Sequence, residues 1–288
     1  MTIRKVGVVG CGLMGSGIAQ VSAQAGFPTV VREVSKELLD KGLGSIFKFM
    51  EAGVAKGKVA PFDLDKVKEN LKGTAKLEDL ADCDLVVEAV TENIALKKEL
   101  LGTLDGSCKP ETIFASNTSS LSITEMSTFV KRPEKVIGLH FFNPVPLMKL
   151  VEVVRTIRTE AAALEAANAW CKAIGKTAVN CGDSTGFVVN RLLVPYMVDA
   201  VKALEQGLAS RDDIDNAMKL GCGYPMGPLL LSDYVGLDTT YYITQVMFDE
   251  FKEPRFAAPP LLKRMVMAGL HGRKTGKGFY DWSTNPPS

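Results

Sequence analysis

The sequence contains little of what a metal site, a membrane span or a disulfide framework requires. Its 288 residues include only two histidines and six cysteines, and no two cysteines have C-x-x-C spacing, so no structural metal is expected. The scattered cysteines are typical of reduced thiols in a cytoplasm-like compartment. No apolar run approaches the ~18 residues of a membrane-spanning helix, and no apolar leader precedes the first strand. We therefore expect a cytoplasmic protein that binds no metal and no membrane.

The sequence also has no excess of positive or negative charge. The 34 Lys and Arg residues oppose 33 Asp and Glu residues, for a formal net charge of +1, which removes the overall argument for a nucleic-acid partner. With 46% hydrophobic and 23% charged residues, the composition is typical of a globular protein. At roughly 100–200 residues per domain, the length allows one large domain or two ordinary ones.

Short β-rich runs alternate with helical stretches over the first part of the chain. The clearest buried strands are Val6–Val9 and Asp84–Val90, and a helical pattern follows each of them. Such alternation implies right-handed crossovers and a doubly wound, mostly parallel sheet. After residue 184 only helical patterns follow, several of them starting at Asp or Pro cap positions. We predict an α/β domain over 1–184 and a smaller all-α domain over 185–288.

A glycine-rich loop joins the first strand to its helix. Residues 10–15 match the pattern G-x-G-x-x-G, and the strand before it and the helix after it give the pattern physical meaning. The first glycine permits a tight turn, the second lets the backbone approach a pyrophosphate, and the third lets helix and strand pack closely. Free N–H groups at the helix start attract the pyrophosphate. The loop predicts a Rossmann-type domain whose cofactor contacts include Gly10, Gly12, Leu13, Met14 and Gly15.

An acid follows the second predicted strand at the spacing expected of a ribose ligand. Glu33 lies 23 residues after Gly10, close to the ~20 residues typical of the acid that binds the adenosine ribose. A carboxylate repels a 2′-phosphate, so the sequence favours NAD over NADP. Arg32 weakens this preference, because a guanidinium accommodates that phosphate. The alternative is a structural glycine turn followed by a surface glutamate.

One histidine and one glutamate stand out for acid–base chemistry. His140 follows a strand predicted at Val136–Leu139, and ligands bind at the carboxyl ends of strands in open α/β sheets. Glu152 lies in the predicted strand Leu150–Val154, where an unpaired carboxylate would be costly. An imidazole is a suitable partner, since a carboxylate orients the ring and stabilises its protonated form. We predict a His140–Glu152 pair, the alternative being a histidine satisfied in the core or at the surface.

A polar run and a helical amide are weaker candidates. The run Ser116-Asn117-Thr118-Ser119-Ser120 follows the predicted strand Thr112–Ala115. It reads as the N-cap of the next helix, a role for Ser120 or Ser122, but a cap does not need five polar residues, so one hydroxyl is left for a ligand. Asn190 lies on an apolar helix face and needs a partner, and the residue pattern leaves its role open.

Taken together, four ordered motifs resemble the 3-hydroxyacyl-CoA dehydrogenase family. They are the glycine loop, Ser116–Leu121, Gly138–Pro144 and Gly186–Arg191, and the closing segment Gly272–Tyr280 extends the similarity over essentially the whole chain. The chain is most similar to the short, single-function bacterial 3-hydroxybutyryl-CoA dehydrogenases. The resemblance implies reversible NAD-dependent oxidation of a short-chain (S)-3-hydroxyacyl-CoA to the 3-ketoacyl-CoA, with NADP the less favoured cofactor.

The resemblance also implies roles for individual residues. It makes His140 the catalytic base, Glu152 its orienting acid, and Ser119 and Asn190 the side chains that bind the substrate oxygen. The small helical domain is expected to form a homodimer or a higher homo-oligomer and to supply part of the substrate cleft.

Further implied contacts reach the cofactor and the CoA group. The resemblance places Glu92, Lys97, Ser119 and Asn143 around the nicotinamide ribose. It makes Lys56 the best match for a CoA contact, although a solvated surface lysine is the commoner situation.

Two other functions are compatible with the sequence. A β-hydroxyacid dehydrogenase of the 6-phosphogluconate type would use a lysine in the helical domain, and Lys202 is the candidate on its first long helix. A non-catalytic dinucleotide-binding protein, structural or redox-sensing, would bind NADH without turnover. The His140–Glu152 pair weighs against the second alternative, because such a protein has no use for an acid–base pair.

Overall fold

The computed structural model describes residues 1–288, which form two compact units, Met1–Phe187 and Val188–Ser288. The first unit contains eight strands, which are β1 Val6–Val9, β2 Thr29–Arg32, β3 Leu71–Thr74, β4 Leu85–Glu88, β5 Ile113–Ser116, β6 Val136–Phe141, β7 Leu150–Arg155 and β8 Thr177–Gly182. Its helices are α1 Leu13–Gln24, α2 Lys36–Ala55, α3 Pro61–Asn70, α4 Ile94–Ser107, α5 Ile123–Ser127 and α6 Ala161–Ala173.

The eight strands form one sheet in the order β3-β2-β1-β4-β5-β6-β7-β8. All neighbouring strands are parallel except β6 and β7, which run antiparallel. The central strands are apolar and buried, as expected when helices cover both faces of a sheet. This is the predicted doubly wound, mostly parallel architecture, and the fold-class prediction is confirmed.

Two elements at the far end of the sheet are absent from the sequence-based prediction. The helix α6 and the strand β8 lie between β7 and the end of the first unit. As an edge strand, β8 leaves most of its side chains exposed or half-buried, so it shows no buried apolar run. The α3–β3 segment escaped prediction for a related reason, since β3 is the opposite edge and buries only Leu71 fully.

The second unit consists of five helices and a closing tail. The helices are α7 Val189–Glu205, α8 Arg211–Cys222, α9 Pro228–Val235, α10 Leu237–Phe251 and α11 Pro260–Met267, and all five agree with the helical patterns of the sequence. No helix of either unit is both long and apolar enough to cross a membrane.

Two buried aspartates hold the tail against these helices. Asp215 accepts hydrogen bonds from the Tyr280 hydroxyl at 2.8 Å and from backbone N–H groups at the start of α9. Asp233 accepts from the N–H groups of Phe279 and Tyr280, at 2.9 and 2.8 Å, and from the indole of Trp282. Burial raises the pKa of Asp233 despite these donors. The carboxylates thus satisfy donors that the tail would otherwise bury unpaired.

We expect Asp233→Asn to lower the free energy of unfolding by about 2–3 kcal/mol, because the new amide N–H₂ faces N–H donors and leaves them unsatisfied. Urea unfolding measures the change. Asp249→Asn is the matched control, since Asp249 is exposed on α10. Equal stability of the two variants would show that the tail does not depend on Asp233.

Candidate active site

The antiparallel pairing of β6 and β7 brings the predicted histidine and glutamate together. His140 is the register partner of Glu152, and directly opposed residues on antiparallel strands point to the same face of the sheet. The imidazole Nδ1 lies 2.6 Å from Glu152 Oε2. His140 is 6% exposed and Glu152 is fully buried. His140 is the penultimate residue of β6 and not, as the sequence indicated, a residue just past the strand.

This contact determines which nitrogen of the ring carries a proton. An ionised carboxylate only accepts hydrogen bonds, so Nδ1 is the protonated nitrogen of the neutral imidazole. The lone pair then lies on Nε2, which makes no hydrogen bond within the protein. A neutral histidine in this tautomer is ready to accept a proton at Nε2, and the carboxylate stabilises the cation that results.

Two aromatic rings enclose the imidazole. The ring centroids of Phe142 and Phe187 lie 4.6 and 5.5 Å from that of His140. Phe187 is a non-glycine residue with φ +47°, a conformation uncommon for a bulky side chain. Its N–H donates to the Ser184 carbonyl at 2.8 Å. Periodicity gives no signal for such contacts, and sequence reasoning missed both phenylalanines.

The polar run after β5 divides into structural and free side chains. Ser122 caps α5 by accepting from the Glu125 N–H at 3.1 Å. Asn117 accepts from the Phe141 N–H at 2.9 Å and thereby ties the run to the end of β6. Ser119 is half-buried, and its hydroxyl makes no hydrogen bond within the protein. With the cap role taken by Ser122, Ser119 is the hydroxyl available to a ligand.

Beneath this run lies a buried ion pair that the sequence analysis did not identify in full. Lys97 Nζ lies 2.6 Å from Glu88 Oε1 and 3.3 Å from Glu92 Oε2. The side chains of Lys97 and Glu88 are 1% and 0% exposed. Ser116 donates to Glu88 Oε2 at 2.6 Å, and the Val90 N–H donates to Oε1 at 2.8 Å. Glu152 stands out as an acid within an apolar predicted strand, and Glu88 has the same position within Asp84–Val90, so Glu88 was open to prediction.

Glu92 links this ion pair to the polar run. Its Oε1 accepts from the Ser119 N–H at 3.2 Å, from the Ser120 hydroxyl at 3.1 Å and from the Thr118 hydroxyl. Burial acts to raise the pKa of Glu92, but the Lys97 charge and these donors outweigh it and hold the pKa below its ordinary value. The carboxylate is therefore ionised at neutral pH and holds the segment that carries Ser119.

The glycine loop has the backbone geometry that a dinucleotide requires. Gly10 has φ +97°, and a Cβ there would lie 2.6 Å from the Ala89 carbonyl oxygen. A Cβ on Gly15 would overlap the carbonyl oxygen of Gly10. At Gly12 a Cβ would meet nothing within 4 Å, so the start of α1 opens onto free space. These residues fit a pyrophosphate at the helix N-terminus.

Glu33 closes the other side of this space. Its Oε2 accepts from the Cys11 N–H at 2.8 Å and its Oε1 from the Val34 N–H at 2.7 Å. A cavity of about 380 Å³ lies between the glycine loop, Glu33 and α2. Arg32 donates instead to the Ala75 carbonyl beyond β3 at 3.3 Å. The carboxylate, and not the guanidinium, therefore faces the glycine loop, which fits a ribose diol better than a 2′-phosphate.

Burial, and after it the Glu33 charge, raise the pKa of the Cys11 thiol to about 11. The thiol therefore stays neutral at pH 7 and adds no negative charge to the loop that would face a pyrophosphate.

We expect Glu33→Gln to raise KM for NADH by about tenfold, the loss of about 1.4 kcal/mol for one charge-assisted hydrogen bond. KM for NADPH should fall or stay constant, because the repulsion of a 2′-phosphate is removed. Initial rates with each cofactor measure both. Glu37→Gln, an exposed carboxylate in the first turn of α2, serves as control. If the ratio of KM for NADH to KM for NADPH were the same in Glu33→Gln as in the wild type, the proposed contact of Glu33 with the ribose would be contradicted.

The remaining predicted residues occupy varied environments. Leu13 is exposed, whereas Met14 packs against the core of the first unit. Asn143 is exposed in the connection between β6 and β7. Lys56 is the exposed C-cap residue of α2. In the second unit, Asn190 is half-buried in the first turn of α7.

The lysine required by the 6-phosphogluconate-type alternative lies in a surface ion pair. Lys202 Nζ lies 3.4 Å from Asp199 Oδ1, one turn earlier on α7. Nothing around it resembles the buried, hydrogen-bonded surroundings of His140.

The chain is similar to known proteins over nearly its whole length. The profile described as 3-hydroxyacyl-CoA dehydrogenase, NAD binding domain, matches residues 5–184, and that described as 3-hydroxyacyl-CoA dehydrogenase, C-terminal domain, matches residues 186–282. A 3-hydroxybutyryl-CoA dehydrogenase of Mycobacterium tuberculosis is 49% identical over 97% of this chain and 99% of its own length. The corresponding protein of Clostridioides difficile is 44% identical over 97% and 99%. The crystal structure of (S)-3-hydroxybutyryl-CoA dehydrogenase from Ralstonia eutropha superposes with a TM-score of 0.95 at 42% identity, covering 98% of this chain and 100% of that one.

Proposed function

The chain belongs to the 3-hydroxyacyl-CoA dehydrogenase family, and from that membership we propose that it oxidises short-chain (S)-3-hydroxyacyl-CoA, such as (S)-3-hydroxybutyryl-CoA, through the His140–Glu152 pair. The predicted family and the NAD-dependent oxidoreductase activity are confirmed by these matches. The observation that carries the proposed roles is the 2.6 Å contact between His140 Nδ1 and Glu152 Oε2.

The pair supplies the proton transfer that alcohol oxidation requires. Hydride cannot leave C3 of the substrate while the hydroxyl keeps its proton, so a base must accept that proton. His140 Nε2 accepts it, and Glu152 stabilises the resulting imidazolium across Nδ1. In the reduction direction the same imidazolium returns the proton to the carbonyl oxygen. NAD, when bound, supplies the nicotinamide that exchanges the hydride.

Other side chains would bind and orient the two ligands. The free hydroxyl of Ser119 supports a hydrogen bond to the substrate oxygen or the thioester carbonyl, and Asn190 is proposed for the same task. Glu92, Lys97 and Asn143 are proposed to surround the nicotinamide ribose. Lys56, exposed at the end of α2, is proposed as a contact for the CoA group.

The proposal extends to domain organisation and assembly. A cofactor domain at 1–184 and a helical domain at 185–288 are supported by the division of the fold at Phe187 and by the two matched profiles. We propose that the helical domain forms a homodimer. Exposed apolar side chains support this, among them Leu192, Leu208, Leu220 and Met267. A cytoplasmic location is supported by the six free thiols.

Loss of nicotinamide absorbance at 340 nm on mixing the protein with acetoacetyl-CoA, run separately with NADH and NADPH, tests the function. We expect turnover with NADH and little with NADPH. Free acetoacetate is the discriminating control, because a dehydrogenase of free hydroxy acids would reduce it. Binding of NADH without turnover of any 3-ketoacyl-CoA would contradict the proposal.

A further inference from the structure

The connection between β6 and β7 is anchored by a buried lysine from outside it. Residues 142–149 join the strand of His140 to the strand of Glu152. Lys176, which is 8% exposed, donates from Nζ to the carbonyl oxygens of Val145 at 2.6 Å and Met148 at 2.8 Å. No carboxylate lies within 4 Å of this ammonium. Its charge is therefore solvated by backbone carbonyls of the connection.

The connection depends on an outside donor because of its own sequence. It contains Pro144 and Pro146, which have no N–H group. Its only internal backbone hydrogen bonds run from Leu147 and Met148 to the Pro144 carbonyl. The carbonyls of Val145 and Met148 are satisfied by Lys176 instead. Without that donor, the Val145 carbonyl would be left buried and unpaired, and the Met148 carbonyl would lose its partner within the protein.

Lys176 is itself held rigidly. It follows Gly175, which lies two residues past the end of α6 with φ +74°, and its own N–H donates to the Cys171 carbonyl at 2.9 Å. The next residue, Thr177, donates from its N–H to the Lys149 carbonyl at 2.7 Å. Side chain and backbone thus hold the connection together at two successive residues. Burial lowers the pKa of Lys176, as expected for an ammonium without a counter-ion.

The other side of the connection contacts the dinucleotide helix. Val145 is 2% exposed, and a Cβ on Gly17 of α1 would lie 2.7 Å from Val145 Cβ. The glycine at this position allows α1 to approach the connection closely. Asn143, a proposed cofactor contact, lies two residues before Val145. The connection is therefore seated between the helix that follows the glycine loop and the Lys176 ammonium.

We propose that Lys176 is a positioning residue for cofactor binding, which holds the 142–149 connection so that Asn143 stays at the dinucleotide site. The proposal rests on the proposed dinucleotide site. A buried ammonium without an acid partner is costly, and a methionine would fill the same volume more cheaply. Unlike methionine, lysine donates two hydrogen bonds to the connection and so holds it in place.

The test compares Lys176→Met with Lys176→Arg, which retains N–H donors and charge, and with Lys172→Met, which changes an exposed lysine in the last turn of α6. Fluorescence titration should show the Kd for NADH of Lys176→Met raised about tenfold, the equivalent of one hydrogen bond that a displaced Asn143 no longer makes to the cofactor. KM for acetoacetyl-CoA should change little. Lys176→Arg should recover most of the NADH affinity, and Lys172→Met should match the wild type.

If Lys176 contributed to stability alone, the variants would give different results. In that case Lys176→Met would melt at lower temperature but, while folded, bind NADH as the wild type does, and this result would overturn the inference. If Lys176→Met does not fold, Lys176→Gln, which retains an amide donor, gives the same comparison through its NADH Kd. Absence of acetoacetyl-CoA reduction in the wild type would count against the proposed function, and the NADH titration would still test Lys176.

Discussion

His140→Ala is expected to lower kcat for acetoacetyl-CoA reduction by about 100- to 10,000-fold, the usual contribution of a positioned acid–base group. The side chain that donates the proton is removed, and no other histidine lies in the first unit. Glu152→Gln is expected to have an effect in the same range. Its amide keeps the volume, but it neither stabilises the imidazolium nor requires the Nδ1 tautomer. Stopped-flow or steady-state rates measure both changes.

Binding measurements distinguish a chemical role from a structural one. The Kd for NADH should remain within about threefold of the wild-type value in both variants, less than the 1.4 kcal/mol that a tenfold change represents. His271→Asn is the matched control, because His271 is the other histidine of the chain and its ring makes one hydrogen bond, from Nε2 to the Val266 carbonyl. Full turnover in Glu152→Gln would remove the orienting role of the acid, and full turnover in His140→Ala would remove the mechanism.

Lys97→Met should lower both stability and cofactor affinity. Removing the cation leaves Glu88 buried without its partner, and breaking a buried pair in this way costs about 3–5 kcal/mol. Glu92 also loses its cation and holds the Ser119 segment less firmly, so we expect the Kd for NADH to rise. Urea unfolding and NADH titration measure the two effects. Lys98→Met, an exposed neighbour on α4, should change neither.

A second variant separates the two effects of Lys97. Adding Glu88→Gln to Lys97→Met removes the uncompensated charge, while the amide oxygen still accepts from Ser116 or Val90. Much of the stability should return, but NADH affinity should not, because the cation is still missing. If the double variant recovered both stability and NADH affinity, Lys97 would affect NADH affinity only through its contribution to stability.

The lowered pKa of Glu92 sets the direction in which the free energy of unfolding changes with pH. Its folded pKa lies below the ordinary value of 4.5, so its stabilising contribution is present above about pH 4.5 and disappears as pH falls through the folded pKa. Since Lys97 is the main cause of the lowering, the stability difference between wild type and Lys97→Met should be largest near pH 7 and smaller at pH 4. A difference that grows on acidification would contradict this account.

The elements most accessible to prediction were those whose signal is local. The strands β1 and β4 are continuous apolar runs, and the glycine loop combines a motif with the strand and helix that give it meaning. The edge strand β8 and the Ala-rich helix α6 lacked such signals. Edge strands bury little, so their side chains carry no constraint that periodicity can reveal. Their omission also hid Lys176, which lies between these two elements.

The sequence indicated several residues of the candidate site, but few of the contacts between them. His140 and Glu152 were identified by scarcity and by an acid in an apolar strand, and their contact depends on an antiparallel register that no local pattern specifies. Glu88 carried the same signal as Glu152, but its importance comes from Lys97 and Ser116, which reach it from a helix and a neighbouring strand. The roles of Ser119, Asn143, Asn190 and Lys56 remain predictions.

Apolar strands, the glycine turn and the helix caps follow from the amino-acid order, because the forces that create them act between residues close in the chain. The distances between His140 and Glu152, between Lys97 and Glu88, and between Lys176 and the 142–149 connection arise only when the sheet assembles. The members of each pair come from separate elements, and because they are buried, each polar group needs the other as its hydrogen-bonding or ionic partner. Chain order thus specifies which groups are available, and packing decides which of them meet.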